Sequence, residues 1–221
     1  MNARVAQLRG HAAQPARVAL LGTGTVGSAA WARLASWAGT PLGERLSLVH
    51  VANSRVAISD RNGITADTRE LLLHNAPRES SLAAVADALA GTGTRIVVDA
   101  TASEAVADQH PRWLASGIHV VTACKLGQGT SLARWRAIQF ARARGGSDYG
   151  DSATVGAGLP LLRTLRELQA GGDRIHAIAG VLSGSLAWLF NHYDGLRPFS
   201  GFVRAAREAG YTEPDPRDDL S

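Results

Sequence analysis

Gly22, Gly24 and Gly27, spaced as G-x-G-x-x-G, are the residues of this chain that most directly suggest chemistry. In that spacing the first glycine permits a tight turn, the second lets a pyrophosphate reach the backbone, and the third lets helix and strand pack closely. Thr23, Thr25 and Val26 complete the loop. About 20 residues on, where an acid would hold the ribose hydroxyls of NAD, the chain carries Asn53, Ser54 and Arg55 instead. An arginine and two small polar donors suit a 2′-phosphate, so the pattern predicts NADP, with NAD as the alternative; Arg55 as a solvated loop residue is the structural reading. Thr101, Ala102, Cys124 and Lys125 follow two further apolar runs. Glu213, Asp215, Asp218 and Asp219 then place four carboxylates in seven residues, stiffened by Pro214 and Pro216. They read either as a solvated acidic turn or as a rigid loop for the amino group of a small zwitterion. No histidine accompanies them, and their spacing matches no metal loop.

The elements that must position these residues are legible around them. Arg17–Leu21 is an apolar run of strand length, and Ser28–Trp37 reads as an Ala- and Leu-rich helix, so the glycines sit in a strand–turn–helix context. The free N–H groups at that helix start, and its dipole, favour a phosphate. Further strands are predicted at Leu46–Ala52, Arg95–Asp99 and Ile118–Thr122, and helices at Ser81–Leu89, Glu104–Ala115 (with Pro111 inside it) and Trp135–Arg144. Asp60–Glu79 is polar and weakly patterned, a surface stretch. Alternation of this kind predicts an α/β fold, a Rossmann-type doubly wound parallel sheet. Its ligands belong at the carboxyl ends of the strands, where Gly22, Asn53, Thr101 and Lys125 all fall.

After Asp151 the composition shifts. Val155–Pro160 is a glycine-bearing turn into a helix with Leu161, Leu162, Leu165 and Leu168 on one face. Ile175–Leu182 is a candidate strand, with helices expected at Leu186–Tyr193 and Phe199–Ala209 and a left-handed cap at Gly210. The expected organisation is a disordered basic N-terminus (1–16), an NAD(P)-binding domain (17–151) and the start of an α+β substrate domain (152–221).

Composition narrows the function classes. Hydrophobic residues are 45% and charged residues 19% of the 221, as in a soluble globular protein. No apolar run approaches the roughly 20 residues that span a bilayer. The net charge of +4 is spread among acids without a basic stripe or interleaved aromatics, against nucleic-acid binding. A single cysteine excludes an intrachain disulfide and suits a reducing, cytoplasmic setting.

From Arg17 to Ser221 the chain resembles homoserine dehydrogenase, especially the dehydrogenase half of bifunctional aspartokinase–homoserine dehydrogenases. The resemblance is carried by Gly22–Gly27, Val51-Ala-Asn-Ser54, Ala105-Val-Ala-Asp-Gln109, Val155–Pro160, Gly180–Leu186 and, most specifically, Gly210–Ser221. It implies NAD(P)-dependent interconversion of L-homoserine and L-aspartate 4-semialdehyde, a step towards threonine and methionine. Gly22–Gly27, Asn53–Arg55, Thr101, Ala102 and Lys125 would hold the cofactor, with Lys125 also at the reacting centre. Ser183, Gly184, Ser185, Tyr211, Glu213 and Asp219 would bind the substrate. Backbone carbonyls of Val155, Ala157 and Leu159 would hold a sodium ion, although the family's glutamate there is replaced by Ser152, beside Asp151. The family follows D-D-L-S with G-x-D-x-x-R-K, so the substrate domain is expected to be incomplete here and catalysis impaired, leaving an NADP-binding fragment as the alternative. Homo-oligomers are expected only of the full-length form. The remaining alternative is an aspartate-semialdehyde dehydrogenase with Cys124 as the acyl-forming nucleophile.

Overall fold

The computed structural model describes residues 14–65, 80–213 and 215–220. Most of the basic N-terminus, most of the polar stretch Asp60–Glu79, Pro214 and Ser221 lie outside the described residues. The chain divides into two compact units, Met1–Asp151 and Ser152–Ser221.

The first unit is built on a six-stranded sheet. In chain order it comprises β1 (Ala16–Leu21), α1 (Thr25–Ser36), β2 (Leu46–Ala52), β3 (Ala57–Ser59), α2 (Leu82–Ala88), β4 (Arg95–Asp99), α3 (Glu104–Ala107), α4 (His110–Ala115), β5 (His119–Thr122), α5 (Leu126–Gly129), α6 (Leu132–Gly145) and β6 (Tyr149–Gly150). The sheet order is β3-β2-β1-β4-β5-β6. Every pairing is parallel except β2 with the short edge strand β3. The strands are apolar on both faces because both are covered. Ala19, Leu21, Val49, Val97 and Val120 pack under Val85, Trp113, Leu114 and Ile138 from the helices on one face. Leu20, Val51 and Ile58 pack with Trp31 of α1 and Ile64 on the other.

The chain leaves β1 towards β2 on one side and returns to β4 on the other, so the strand order reverses beside β1. Leu21 is in register with Ala52 and with Asp99, which sets the ends of β1, β2 and β4 level around one crevice. A reversal of this kind is where open α/β sheets bind ligands.

The expected helix Glu104–Ala115 is two helices, interrupted at Asp108–Gln109. Pro111 lies in the first turn of α4, where its missing N–H leaves no helical bond unmade. Helix α1 starts at Thr25, three residues before the expected Ser28, because Gly24 caps it directly. The short elements β3, α5 and β6 carry too few residues to show a period and were not expected.

The second unit contains α7 (Leu161–Ala170), α8 (Gly184–His192), α9 (Phe199–Glu208) and α10 (Arg217–Leu220). Its core is Leu189, Phe202 and Ala206, backed by Leu186, Trp188, Phe199 and Val203. Gly210 has φ +78°, the left-handed conformation expected of it. The strand expected at Ile175–Leu182 is absent: the segment has no ladder partner, and Ile178, Val181 and Leu182 are exposed. An apolar run becomes a strand only where a neighbour takes its backbone N–H and C=O groups, and no described residue of this unit offers one.

Candidate functional site

The turn from β1 into α1 is dictated by close approach. Gly22 sits at φ +98°, and a Cβ there would lie 2.5 Å from the Ala100 carbonyl oxygen. A Cβ on Gly27 would lie 1.9 Å from the Gly22 carbonyl oxygen. Gly24 differs: a Cβ there would meet nothing within 4 Å, so its backbone faces open space. The first helical bond of α1 runs from Ser28 N–H to the Gly24 carbonyl (2.8 Å), so the N–H groups of Thr25, Val26 and Gly27 precede the helical ladder. No acid stands in the first turn to compete with a bound anion. The sequence therefore folds here into a phosphate cradle, and this chain's residues fit a dinucleotide pyrophosphate.

A cleft of about 930 Å³ opens above this turn. Gly22, Thr23, Gly24, Asn53, Ser54, Arg55, Thr101 and Ala102 all line it, so these predicted cofactor residues from three loops come together. Thr25, Val26, Gly27 and Lys125 do not line it. Asn53 shapes the wall: its Oδ1 accepts from the N–H groups of Arg55 and Val56 (2.9 Å each), and its Nδ2 donates to Thr23 Oγ1 (3.3 Å). Its amide is thereby committed to the turn that presents Ser54 and the exposed Arg55. The cleft is also lined by Ser80, Ser81 and Ser103, which the sequence reading did not single out; the Ser80 N–H donates to the Arg55 carbonyl (3.2 Å). Ser103 was legible as the N-cap of α3, where its hydroxyl accepts from Val106 N–H. Ser80 and Ser81 follow a polar stretch without periodicity.

Lys125 is exposed and stands at the N-cap of α5, directly after β5. The Ala123 N–H donates to the Asp99 carbonyl oxygen (3.0 Å), and the Cys124 N–H to Thr122 Oγ1 (2.8 Å), which pins the lysine's turn to the end of β4. Arg134 of α6 adds a second tie, bonding the Leu126 carbonyl (2.6 Å) and pairing with Glu104 at the start of α3 and with Asp108 just after it. Cys124 is 3% exposed, and burial, then the charge of Asp99, pushes its thiol pKa up. A buried, protonated thiol is a poor nucleophile, which argues against acyl-enzyme chemistry at Cys124.

Within the second unit, Ser185, Glu213 and Asp219 meet. Asp219 accepts from Ser185 Oγ (2.8 Å) and from the Glu213 N–H (2.7 Å). Ser183 caps α8 by accepting from Leu186 N–H, and Gly184 opens that helix. Tyr211 instead stacks on Trp188, with ring centroids 5.7 Å apart. Asp215 pairs with Arg217, which pulls its pKa from 3.8 down to about 2. In the loop proposed for sodium, Ala157 is left-handed (φ 49°) and the Leu159 carbonyl already accepts from Leu161 N–H (2.8 Å). Among the described residues no cluster of three or more His, Cys, Asp or Glu could hold a metal ion. No helix among them is long and apolar enough to cross a membrane.

Comparison with known proteins agrees with this architecture. Residues 22–149 match the family model of the homoserine dehydrogenase NAD-binding domain, and residues 160–221 match that of homoserine dehydrogenase. The chain is 46% identical over 127 residues to a chloroplastic bifunctional aspartokinase/homoserine dehydrogenase of Zea mays, covering 58% of this chain and 14% of that protein. It is 43% identical over 134 residues to the homoserine dehydrogenase of Emericella nidulans, covering 58% of this chain and 36% of that protein. The crystal structure of homoserine dehydrogenase from Thermoplasma acidophilum superposes with a TM-score of 0.74 at 25% identity, over 93% of this chain and 64% of that one. The chain thus spans well under half the length of these curated relatives. With a glycine turn, a reversed strand order and a matched NAD-binding domain on the same residues, the chain belongs to the homoserine dehydrogenase family.

Proposed function

We propose that this chain binds NADP in the cleft above Gly22–Gly27 and contributes to the interconversion of L-homoserine and L-aspartate 4-semialdehyde, a step in threonine and methionine biosynthesis. One observation supports the reading. The open backbone at Gly24, at the N-terminus of α1, and the exposed Arg55 line one cleft. The reading puts the pyrophosphate against the first and the 2′-phosphate against the second. The nicotinamide supplies the hydride donor or acceptor when bound. Ser54 and Arg55 bind the phosphorylated ribose, and Thr101 and Ala102 orient the remainder of the dinucleotide. Lys125 stabilises negative charge on the aldehyde oxygen and exchanges a proton with it. Ser183–Ser185, Tyr211, Glu213 and Asp219 bind the small amino-acid substrate. A sodium ion at the Val155, Ala157 and Leu159 carbonyls, a cytoplasmic location and homo-oligomers of a longer form belong to the same reading.

The test is a titration of the 221-residue chain with NADPH and NADH, followed by an assay of homoserine-dependent NADPH formation. NADPH binding tighter than NADH binding, with turnover reduced about 10²–10⁴-fold by Lys125→Ala in any form that turns over, is the expected result. Absence of dinucleotide binding by the folded chain would overturn it. Binding without turnover would leave the chain an NADP-binding fragment.

A further inference from the structure

Beneath the cleft lies a buried polar chain that the proposed chemistry does not use. Asp99, at the end of β4, and His110, in the first turn of α4, are both fully buried. Asp99 Oδ1 accepts from Thr101 N–H (2.9 Å) and Thr101 Oγ1 (2.7 Å). Its Oδ2 accepts from His110 Nε2 (3.0 Å) and Thr122 Oγ1 (3.2 Å). Four donors satisfy the carboxylate, and a satisfied buried network specifies geometry where an incomplete one is costly. His110 continues the chain through Nδ1 to the Tyr149 hydroxyl (3.0 Å). Gln128 donates to Asp151 Oδ2 (2.6 Å).

The donor sequence sets the histidine tautomer. Asp99 Oδ2 accepts, so His110 Nε2 carries a proton towards Asp99 and Nδ1 faces the Tyr149 hydroxyl. Gly127 bears on the same junction: a Cβ there would lie 2.4 Å from the Tyr149 hydroxyl and 3.1 Å from His110 Nδ1. Gly127 is in α5, two residues after Lys125.

We propose that Asp99, His110 and Tyr149 form a positioning relay for the dinucleotide cleft, locking the Thr101 hydroxyl on its wall and the Cys124–Lys125 turn into one geometry, with Gly127 bare to admit the Tyr149 hydroxyl. The relay rests on the cofactor reading above, since Thr101 is its contact with the cleft. Asp99, His110 and Tyr149 are positioning residues and none of them lines the cleft; Thr101, which does, is the residue they hold.

The experiment measures NADPH dissociation constants by fluorescence for folded wild type, Tyr149→Phe, Gly127→Ala, Thr101→Val and the Tyr149→Phe/Thr101→Val and Tyr149→Phe/Gly127→Ala doubles. ¹⁵N spectra report the His110 tautomer in the wild type. Tyr149→Phe, remote from the cleft, should weaken NADPH about threefold to tenfold, the range of one lost hydrogen bond. Its effect should be non-additive with Thr101→Val, the signature of coupled groups. Adding Gly127→Ala to Tyr149→Phe should cost little more, because the new methyl takes the space of the removed hydroxyl. Wild-type His110 should carry a proton on Nε2, facing Asp99. A lowered thermal midpoint in Tyr149→Phe with an unchanged NADPH dissociation constant would make the network structural only and overturn the relay, as would an Nδ1–H tautomer. Failure of the wild type itself to bind NADPH is a separate result, visible before any variant is compared, and would remove the cofactor reading and the relay with it.

Discussion

The Asp219 carboxylate reaches back across 34 residues to accept from the Ser185 hydroxyl at 2.8 Å. Its second oxygen takes the Glu213 N–H, so one side chain ties the acidic loop to the start of α8. Asp219→Ala leaves a nearly buried serine hydroxyl and a backbone N–H without this acceptor. The expected loss is about 1–3 kcal/mol of stability in the second unit. Urea denaturation followed by the indole N–H signal of Trp188 in ¹H–¹⁵N spectra, resolved from the four tryptophans of the first unit, checks it; an unchanged transition would mean that solvent replaces both bonds at no cost.

Gly24→Val separates the phosphate cradle from the fold. The new side chain meets no protein atom at its Cβ, so the circular dichroism spectrum and thermal midpoint should stay close to wild type. It does occupy the space where a pyrophosphate must meet the backbone, so dinucleotide affinity should fall below detection. Normal affinity in a titration would leave the glycine turn a structural feature alone.

Arg55→Ala tests cofactor choice. A charge-assisted hydrogen bond to a 2′-phosphate is worth about 1–3 kcal/mol, or roughly fivefold to 150-fold in affinity. NADPH binding should weaken by that factor while NADH binding stays nearly constant, because Asn53 continues to hold the turn through its own bonds to the backbone. Equal losses for both cofactors would remove Arg55 from the 2′-phosphate site.

Asp215 should titrate near 2 in the folded chain, below its ordinary 3.8, because Arg217 bonds its carboxylate. The folded pKa is depressed, so the pair's contribution is present above pH 3.8 and is lost as pH falls through about 2. The pair is solvent-exposed, and such pairs add little to global stability. Arg217→Ala should return the Asp215 midpoint in a carboxylate NMR titration towards 3.8 while the denaturation midpoint at neutral pH hardly moves.

Local chemistry in the sequence determined the cofactor fold. An apolar run of strand length, three glycines in fixed spacing and an Ala-rich segment admit few structures, and β2 and β4 were legible to the residue from their apolar runs. The place of Pro111 in the first turn of a new helix follows from the proline's missing N–H, and the left-handed cap at Gly210 from its missing Cβ. Pairing and burial were decided only in three dimensions. The apolar segment Ile175–Leu182 has strand composition, but ladder bonds come from a partner, and composition does not say whether one is present. Asp99, His110 and Tyr149 lie up to 50 positions apart by number and read in the sequence as a strand end, a residue inside the expected helix Glu104–Ala115 and a loop residue. The parallel pairing of β4 with β5 and of β5 with β6, and the packing of α4 against them, bring these residues within hydrogen-bond distance. The crossovers between parallel strands set such contacts, and no local pattern in the chain encodes them.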